Sequence, residues 1–226
     1  MYLYLYRVLA IMRGYEACAG KSKTLKGPGS DPAASVAIDE AEETMSDADL
    51  TIAAVHAKGW EVVRLRGKKP VGPHWQITTD SDEIAAWLAA GNNIGLVCHE
   101  RTRIAVLDPD DLVAWADMID ALGQPSTPWV ITGSGRLHYY LRWEPDLPAK
   151  LTWQGKTIGE IQRGPGQQQV VLPPSVHPTT ALPYHWISES LSFLCEPTDP
   201  VSDPLPELPG LWRAYLRHQV YASSRR

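Results

Sequence analysis

Residues 137–143 alternate cleanly: Leu137, Tyr139, Leu141 and Trp143 fall on one side of an extended chain, His138, Tyr140 and Arg142 on the other. Side chains of a strand point to opposite faces with period two, so the run predicts a strand whose apolar face covers a core. Its second face then offers an imidazole, a phenol and a guanidinium to a cleft, or forms the polar outer side of a sheet. Strand-like runs recur around it at 129–132, 157–162, 169–172 and 184–187, which predicts a mostly antiparallel sheet in this half. The earlier half reads differently. Ser46, with Asp49 three residues on, caps a helix carrying Leu50, Ala53, Ala54 and Ala57 that Gly59 ends. A strand follows at 61–65, and Asp80 or Ser81 opens a second helix bearing Ile84, Trp87 and Leu88, closed by Gly91. Strands at 93–98 and 103–107 and an amphipathic helix at 112–122, closed by Gly123, complete an α-β-α-β-β-α order. The expected class is α+β, an α/β N-terminal half and a sheet-rich C-terminal half sharing one cleft.

A chain of 226 residues holds one main domain. Its net charge of -5 argues against a protein that coats duplex by neutralising phosphates, though it leaves room for a small basic groove. Cys18, Cys98 and Cys195 are odd in number and widely spaced, which predicts a reducing, cytoplasmic setting. Arg7 and Arg13 break the apolar stretch at the N-terminus, against a secretory signal, and the stretch is shorter than the about 20 residues of a membrane span. No membrane partner is expected. Residues 20–43 are small and polar, so residues 1–45 are expected to be a disordered tail or a mis-assigned start, with the folded domain at 46–195. A series of prolines from Pro197 to Pro209 predicts an extended linker within 196–226, ahead of a last helix at 211–221.

Asp108 and Asp110 lie two apart at the end of the apolar run Ile104-Ala105-Val106-Leu107, so on an extended chain both carboxylates share a face. Magnesium and manganese prefer such hard oxygen ligands, often beside substrate phosphates. Asp-Pro-Asp-Asp is equally good helix-start sequence. Glu160 lies on the 157–162 strand, sharing a face with Ile158 and Gln162, where a third carboxylate can complete a two-metal site. His138 and Arg142 on the second face of the 137–143 strand suit phosphate, and Gly133-Ser134-Gly135 before it permits a tight turn whose amides approach an anion. Lys68, Lys69 and Arg163 are the basic residues assigned to nucleic acid, the first two in a loop with Trp75. Trp75 reads as a core anchor, with base stacking the alternative.

In this order the pieces resemble the primase/polymerase (prim-pol) domain of the archaeo-eukaryotic primase superfamily, in the bifunctional type found in plasmid, phage and prophage replication proteins. The resemblance runs from about Asp49 to Trp186. It is carried by Gly67-Lys68-Lys69-Pro70 with Trp75, Thr78-Thr79-Asp80, Asn93-Ile94-Gly95-Leu96, Val106-Leu107-Asp108-Pro109-Asp110, Ser134-Gly135-Arg136-Leu137-His138-Tyr139-Tyr140, and Val170-Val171-Leu172-Pro173-Pro174-Ser175-Val176-His177 ending in Tyr184-His185-Trp186. It implies a prim-pol catalytic domain with an RRM-like C-terminal half, in which Asp108, Asp110 and Glu160 bind catalytic Mg2+ or Mn2+. His138 would contact the nucleoside triphosphate, with Ser134 and Arg142 added as nucleotide-binding residues from their position. The third acid is more often aspartate in the family. The implied activity is nucleotidyl transfer to a 3′-hydroxyl on a single-stranded DNA template, from NTP or dNTP, with a separate helicase as a further partner.

Two rivals stand beside it. A nucleotide-sugar glycosyltransferase also places Asp-x-Asp after a hydrophobic strand, but a longer alternating β/α half is expected before it. A primase-like fold could also serve only to bind single strands or a replication origin.

Overall fold

A computed structural model describes residues 45–164, 168–187 and 199–223. The expected N-terminal tail, Cys18 and Cys195 lie outside these residues.

Helix α1 (Asp47–Lys58) starts where the Ser46 side chain accepts the Asp49 amide and ends on Gly59 in the left-handed conformation. Helix α2 (Ser81–Ala89) is capped by Asp80, which accepts the amides of Asp82 and Glu83. Both helices cover one antiparallel sheet of strands β10 (Gln168–Val171), β4 (Asn93–Cys98), β1 (Val62–Arg66) and β2 (Lys69–Pro70), in that order. Strand β3 (Ile77–Thr78) also pairs with β1, so the short β2 and β3 share its outer edge. The basic stretch expected to be a loop is thus a tight hairpin, Arg66 opposite Lys69, turned through Gly67 at φ 61°.

A second antiparallel sheet runs β11 (His185–Trp186), β6 (Trp129–Ile131), β7 (Leu137–Arg142), β5 (Ile104–Pro109), β9 (Lys156–Gln162), β8 (Lys150–Trp153). Helices α3 (Leu112–Leu122) and α4 (Gly210–Ser223) lie on its outer side. The chain has the expected mixture of helices and antiparallel strands, but the sheets do not divide it into an N-terminal and a C-terminal half. Strand β5 leaves β4 through a short turn and becomes central to the second sheet, and β10 returns to pair with β4 in the first.

Two cores fix this layering. The first joins Ala54 and Val55 of α1, Val62, Val63 and Leu65 of β1 and Ile94 and Leu96 of β4 with Ile104, Val106 and Tyr140 of the second sheet. The other joins Ala105, Leu107, Leu137, Tyr139 and Leu141 with Trp115 and Met118 of α3 and Trp212 and Leu216 of α4. Period-two alternation sends successive residues of β5 and β7 into different cores. The second face of β7 is therefore covered by the first sheet rather than open: His138 and Tyr140 are buried, and only Arg142 is exposed. Tyr140 stacks on Trp60 at 6.3 Å and meets Trp186 at 5.1 Å. Trp75 packs, partly buried, against the first core, as an anchor does.

Residues 199–209, expected to be a linker, are held along their length. Lys58 Nζ donates to the carbonyls of Val201 and Asp203 at 2.8 and 2.7 Å, and Leu208 is buried in the second core. Trp212 is fully buried and donates from Nε1 to the Gly123 carbonyl at 2.7 Å, which locks α4 to the end of α3. Among the described residues no helix is long and apolar enough to cross a membrane.

Candidate active site

Asp108 stands directly opposite Glu160 in the β5–β9 register, and partners in an antiparallel pair project to the same face. The β5–β7 register, ending with Leu107 opposite Tyr139, brings His138 to the other flank of Asp108, with Nε2 3.7 Å from Oδ1. Three neighbouring strands thus present a histidine and two carboxylates in a row, at the end of β5 where it leaves the sheet. Gly159 makes the spacing possible: a methyl group there would overlap the Asp108 carbonyl oxygen and press on Pro109 Cα at 2.7 Å. Pro109 sits opposite Gly159, and the amides of Asp110 and Asp111 then both donate to the Ile158 carbonyl, at 2.8 and 3.0 Å. Two residues against one is the geometry of a bulge, which re-aims the chain from strand into α3. Asp111 has the capping role instead, accepting the Ala114 amide and pairing with Lys156.

A second irregularity lies across β8–β9, where the register shifts between Leu151 and Thr152. It gives β9 one extra residue, Ile158, which joins Ile161 in the second core. Glu160 shares its face with Gln162, whose Nε2 donates to it at 3.1 Å, but not with Ile158 as the simple alternation predicts.

Burial first, and the neighbouring Asp110 and Glu160 carboxylates after it, push Asp108 up to about 6, against the opposing fields of Arg136 and Lys68. Burial, with Lys68 adding to it, pushes His138 down to about 3. The imidazole is therefore neutral at physiological pH, and its 3.7 Å approach to Asp108 is a contact, too long for a hydrogen bond and not an ion pair. His138 Nδ1 is buried, with no hydrogen-bond partner among the described residues. Tyr184 lies 6.1 Å from the His138 ring and 6.3 Å from the His177 ring, and burial followed by the field of Asp108 raises its phenol to about 12.

The remaining residues expected at the site divide by position. Lys68, at the hairpin turn of the first sheet, is close enough for its charge to act on Asp108 and His138. Lys69 is exposed beside it on β2. Ser134 lies in the exposed turn before β7, its hydroxyl 3.1 Å from that of Thr132. Arg142 is not with the acids. It stands opposite Ile104, at the far end of β5, and pairs with Glu207. Arg163 is at that end too, just past Gln162, which faces Val106, and its carbonyl accepts from Trp143 Nε1 at 2.8 Å. Arg136 is assigned no role by the sequence motifs, yet its guanidinium pairs with Asp110 and its field reaches Asp108. Arg136 has the same parity as His138, Tyr140 and Arg142. Because β7 runs antiparallel to β5, the N-terminal end of β7 meets the acids, so parity extended one step earlier finds Arg136.

The donor set suits a small hard cation. Asp108 and Glu160 are oxygen donors on facing positions, and the unfavourable charge on a buried Asp108 is what a divalent ion would offset. Among the described residues no group of three or more acidic, histidine or cysteine side chains stands arranged to hold a metal. Asp110 is turned toward Arg136, which pairs with its Oδ1.

Hard oxygen donors beside an imidazole, with Arg136 and Lys68 close enough for their charges to act there, define a class of site suited to polyphosphate substrates. The family model described as bifunctional DNA primase/polymerase, N-terminal, matches residues 52–211, and the chain belongs to that family. It carries a DNA primase/polymerase-type domain, of a family whose enzymes generally use divalent metals. The match extends past the proline series into the first turn of α4. No curated protein matches the chain.

Proposed function

We propose that the chain catalyses template-directed nucleotidyl transfer on single-stranded DNA, with Asp108, Asp110 and Glu160 as the catalytic carboxylates. The observation that carries this is the convergence of Asp108, Glu160 and the buried, half-unsatisfied His138 on three adjacent strands, within a chain of the primase/polymerase family. Two divalent ions bound there would lower the pKa of a 3′-hydroxyl and stabilise charge on the leaving pyrophosphate as the α-phosphate is transferred. Asp108 and Glu160 would hold them, joined by Asp110 once its carboxylate leaves Arg136. Arg136 is then free to take a phosphate oxygen. His138 contributes an N–H without adding charge, because burial keeps it neutral. The first sheet covers the inner face of β7 and limits water around the reacting groups, which strengthens each electrostatic contact.

Homopolymer templates test this directly. With a primed oligo-dT template, magnesium or manganese and each of the four nucleotides supplied singly as ribo- and deoxyribonucleotide, the adenine nucleotide should be incorporated preferentially. The same reactions without primer separate initiation from extension. Incorporation indifferent to the template base would contradict template direction, and full activity in Asp108→Ala would contradict the site.

A further inference from the structure

A cavity of about 710 Å³ opens at the end of the second sheet away from the acids. It is walled by Glu100, Arg101 and Arg103 of the turn between β4 and β5, by residues 142–145 where β7 ends, and by Glu207 and Arg213 around the start of α4. Most of its guanidiniums serve the fold: Arg142 pairs with Glu207, Arg213 with Glu144 and Glu207, and Arg101 with Glu61. Arg103 differs. It is exposed, and its side chain has no ion pair or hydrogen bond among the described residues. Its backbone stands at φ 57°, a left-handed conformation that a β-carbon disfavours and glycine adopts freely. The turn is pinned there, because the Arg103 amide donates to the Glu100 carbonyl at 3.2 Å and its carbonyl accepts the Trp143 amide at 2.9 Å. A long cation held where the backbone favours glycine, and unmatched within the protein, points to a use for its guanidinium in binding.

Trp143 lines the same cavity. Its indole packs partly buried against the second core, and Nε1 donates to the Arg163 carbonyl at 2.8 Å, so the ring is fixed and offers its surface rather than its N–H. A fixed aromatic ring beside an unpaired guanidinium is the combination that holds single-stranded nucleic acid: the ring stacks a base of any identity, and the cation meets the backbone. Arg103 comes five residues before Asp108 along β5, and Trp143 five residues after His138 along β7. At about 3.4 Å per residue both stand about 17 Å from the reacting end. A stacked strand covers that span with about five nucleotides.

We propose that this cavity is a second contact for the single-stranded template, in which Trp143 stacks one base and Arg103 pairs with one backbone phosphate, about five nucleotides from the reacting end. This rests on the single-stranded substrate of the function proposed above. The strand concerned is the unread template ahead of the primer, since bases behind the primer terminus are paired and have no free face to stack. A chain of net charge -5 holds a strand at discrete points rather than by a general basic surface, and this is one such point.

The test compares variants in binding and in turnover. Arg103→Gly removes the guanidinium and relaxes the turn, so the thermal midpoint should not fall; a loss of binding then separates a strand contact from a structural role. Fluorescence anisotropy with labelled oligo-dT of about 16 nucleotides, without metal or nucleotide, should show affinity about ten-fold weaker in Arg103→Gly and in Trp143→Leu, with Trp143→Phe recovering part of the loss. The slope of log affinity against log salt should fall by about 0.7 in Arg103→Gly. In primer extension both variants should raise KM for a template with an unread overhang of about twelve nucleotides, leave KM within about two-fold for an overhang of about two, and change kcat little. Unchanged oligo-dT affinity, or KM raised equally on short and long overhangs, would overturn the contact. So would thymidine monophosphate that binds wild type but neither variant while oligo-dT affinity stays unchanged, which would make the cavity a mononucleotide site. A wild-type chain that binds oligo-dT but makes no template-directed product fails the proposed function instead, and the anisotropy of the variants still decides the contact.

Discussion

At one end of the second sheet Arg142, Arg213 and Arg217 are matched by Glu144, Asp146 and Glu207, in a network that ties the end of β7 to the start of α4. At the other end Asp108 and Glu160 face each other beside a histidine whose buried Nδ1 has no hydrogen-bond partner among the described residues, and the cations acting there are Arg136, paired with Asp110, and Lys68, with no ion pair among the described residues. Both ends draw on charged side chains, and β7 contributes to each, Arg142 to the first and His138 to the second. The difference lies in how far charge and hydrogen bonding are completed within the protein. A finished network holds two elements together, whereas groups left unpaired at a structural cost imply a ligand that completes them.

The largest effect expected from breaking this contrast is at the unfinished end. Asp108→Ala or Asp110→Ala should lower nucleotide incorporation to background, a loss of about 10³-fold or more, with the far-ultraviolet circular dichroism unchanged. At the finished end the expected losses are in stability. Trp212→Ala should cost about 3–5 kcal/mol in urea unfolding, because it empties the second core beneath α4, while kcat per folded molecule changes little.

Asp108→Asn sharpens the comparison through pH. A folded-state pKa raised from 3.8 to about 6 means the protonated form is favoured on folding, so that stability is fully present below pH 4 and is lost as pH rises through 6. Without divalent metal, Asp108→Asn should match wild type near pH 4 and exceed it by about 3 kcal/mol at pH 7.5, read from urea midpoints. Manganese should narrow the gap by stabilising only the wild type. The smallest effect belongs to Arg142→Ala: its pair with Glu207 is half-exposed, so the stability change should be below about 1 kcal/mol and incorporation should be unaltered.

Local signals were readable where a single residue decides the outcome. Ser46 and Gly59 bound α1, Asp80 opens α2, and Gly123 ends α3, as their chemistry predicts. The strands carrying Asp108, His138 and Glu160 were legible from their alternation. What the alternation does not contain is the neighbour of each strand. It could not show that the first sheet lies over His138 and Tyr140, or that antiparallel pairing carries Arg142 away from the acids and Arg136 toward them. Nor does it reveal the extra residue that sends Ile158 to the opposite core from the one its parity predicts, since a bulge depends on the partner strand. Prolines in 199–209 suggested an extended chain, but residues 200–202 form a turn closed by the Asp203 amide on the Asp199 carbonyl at 3.3 Å; the attachment of the segment comes from Lys58 and from a core that the preceding sequence does not name.

Extension of a labelled primer on a single-stranded template, run side by side for wild type, Asp108→Asn and Arg142→Ala with manganese and all four nucleotides, tests the central claim most directly. Template-dependent product from wild type and Arg142→Ala, and none from Asp108→Asn, is the result predicted. Equal product from Asp108→Asn, or loss of product only in Arg142→Ala, would place the chemistry at the wrong end of the sheet and contradict the account.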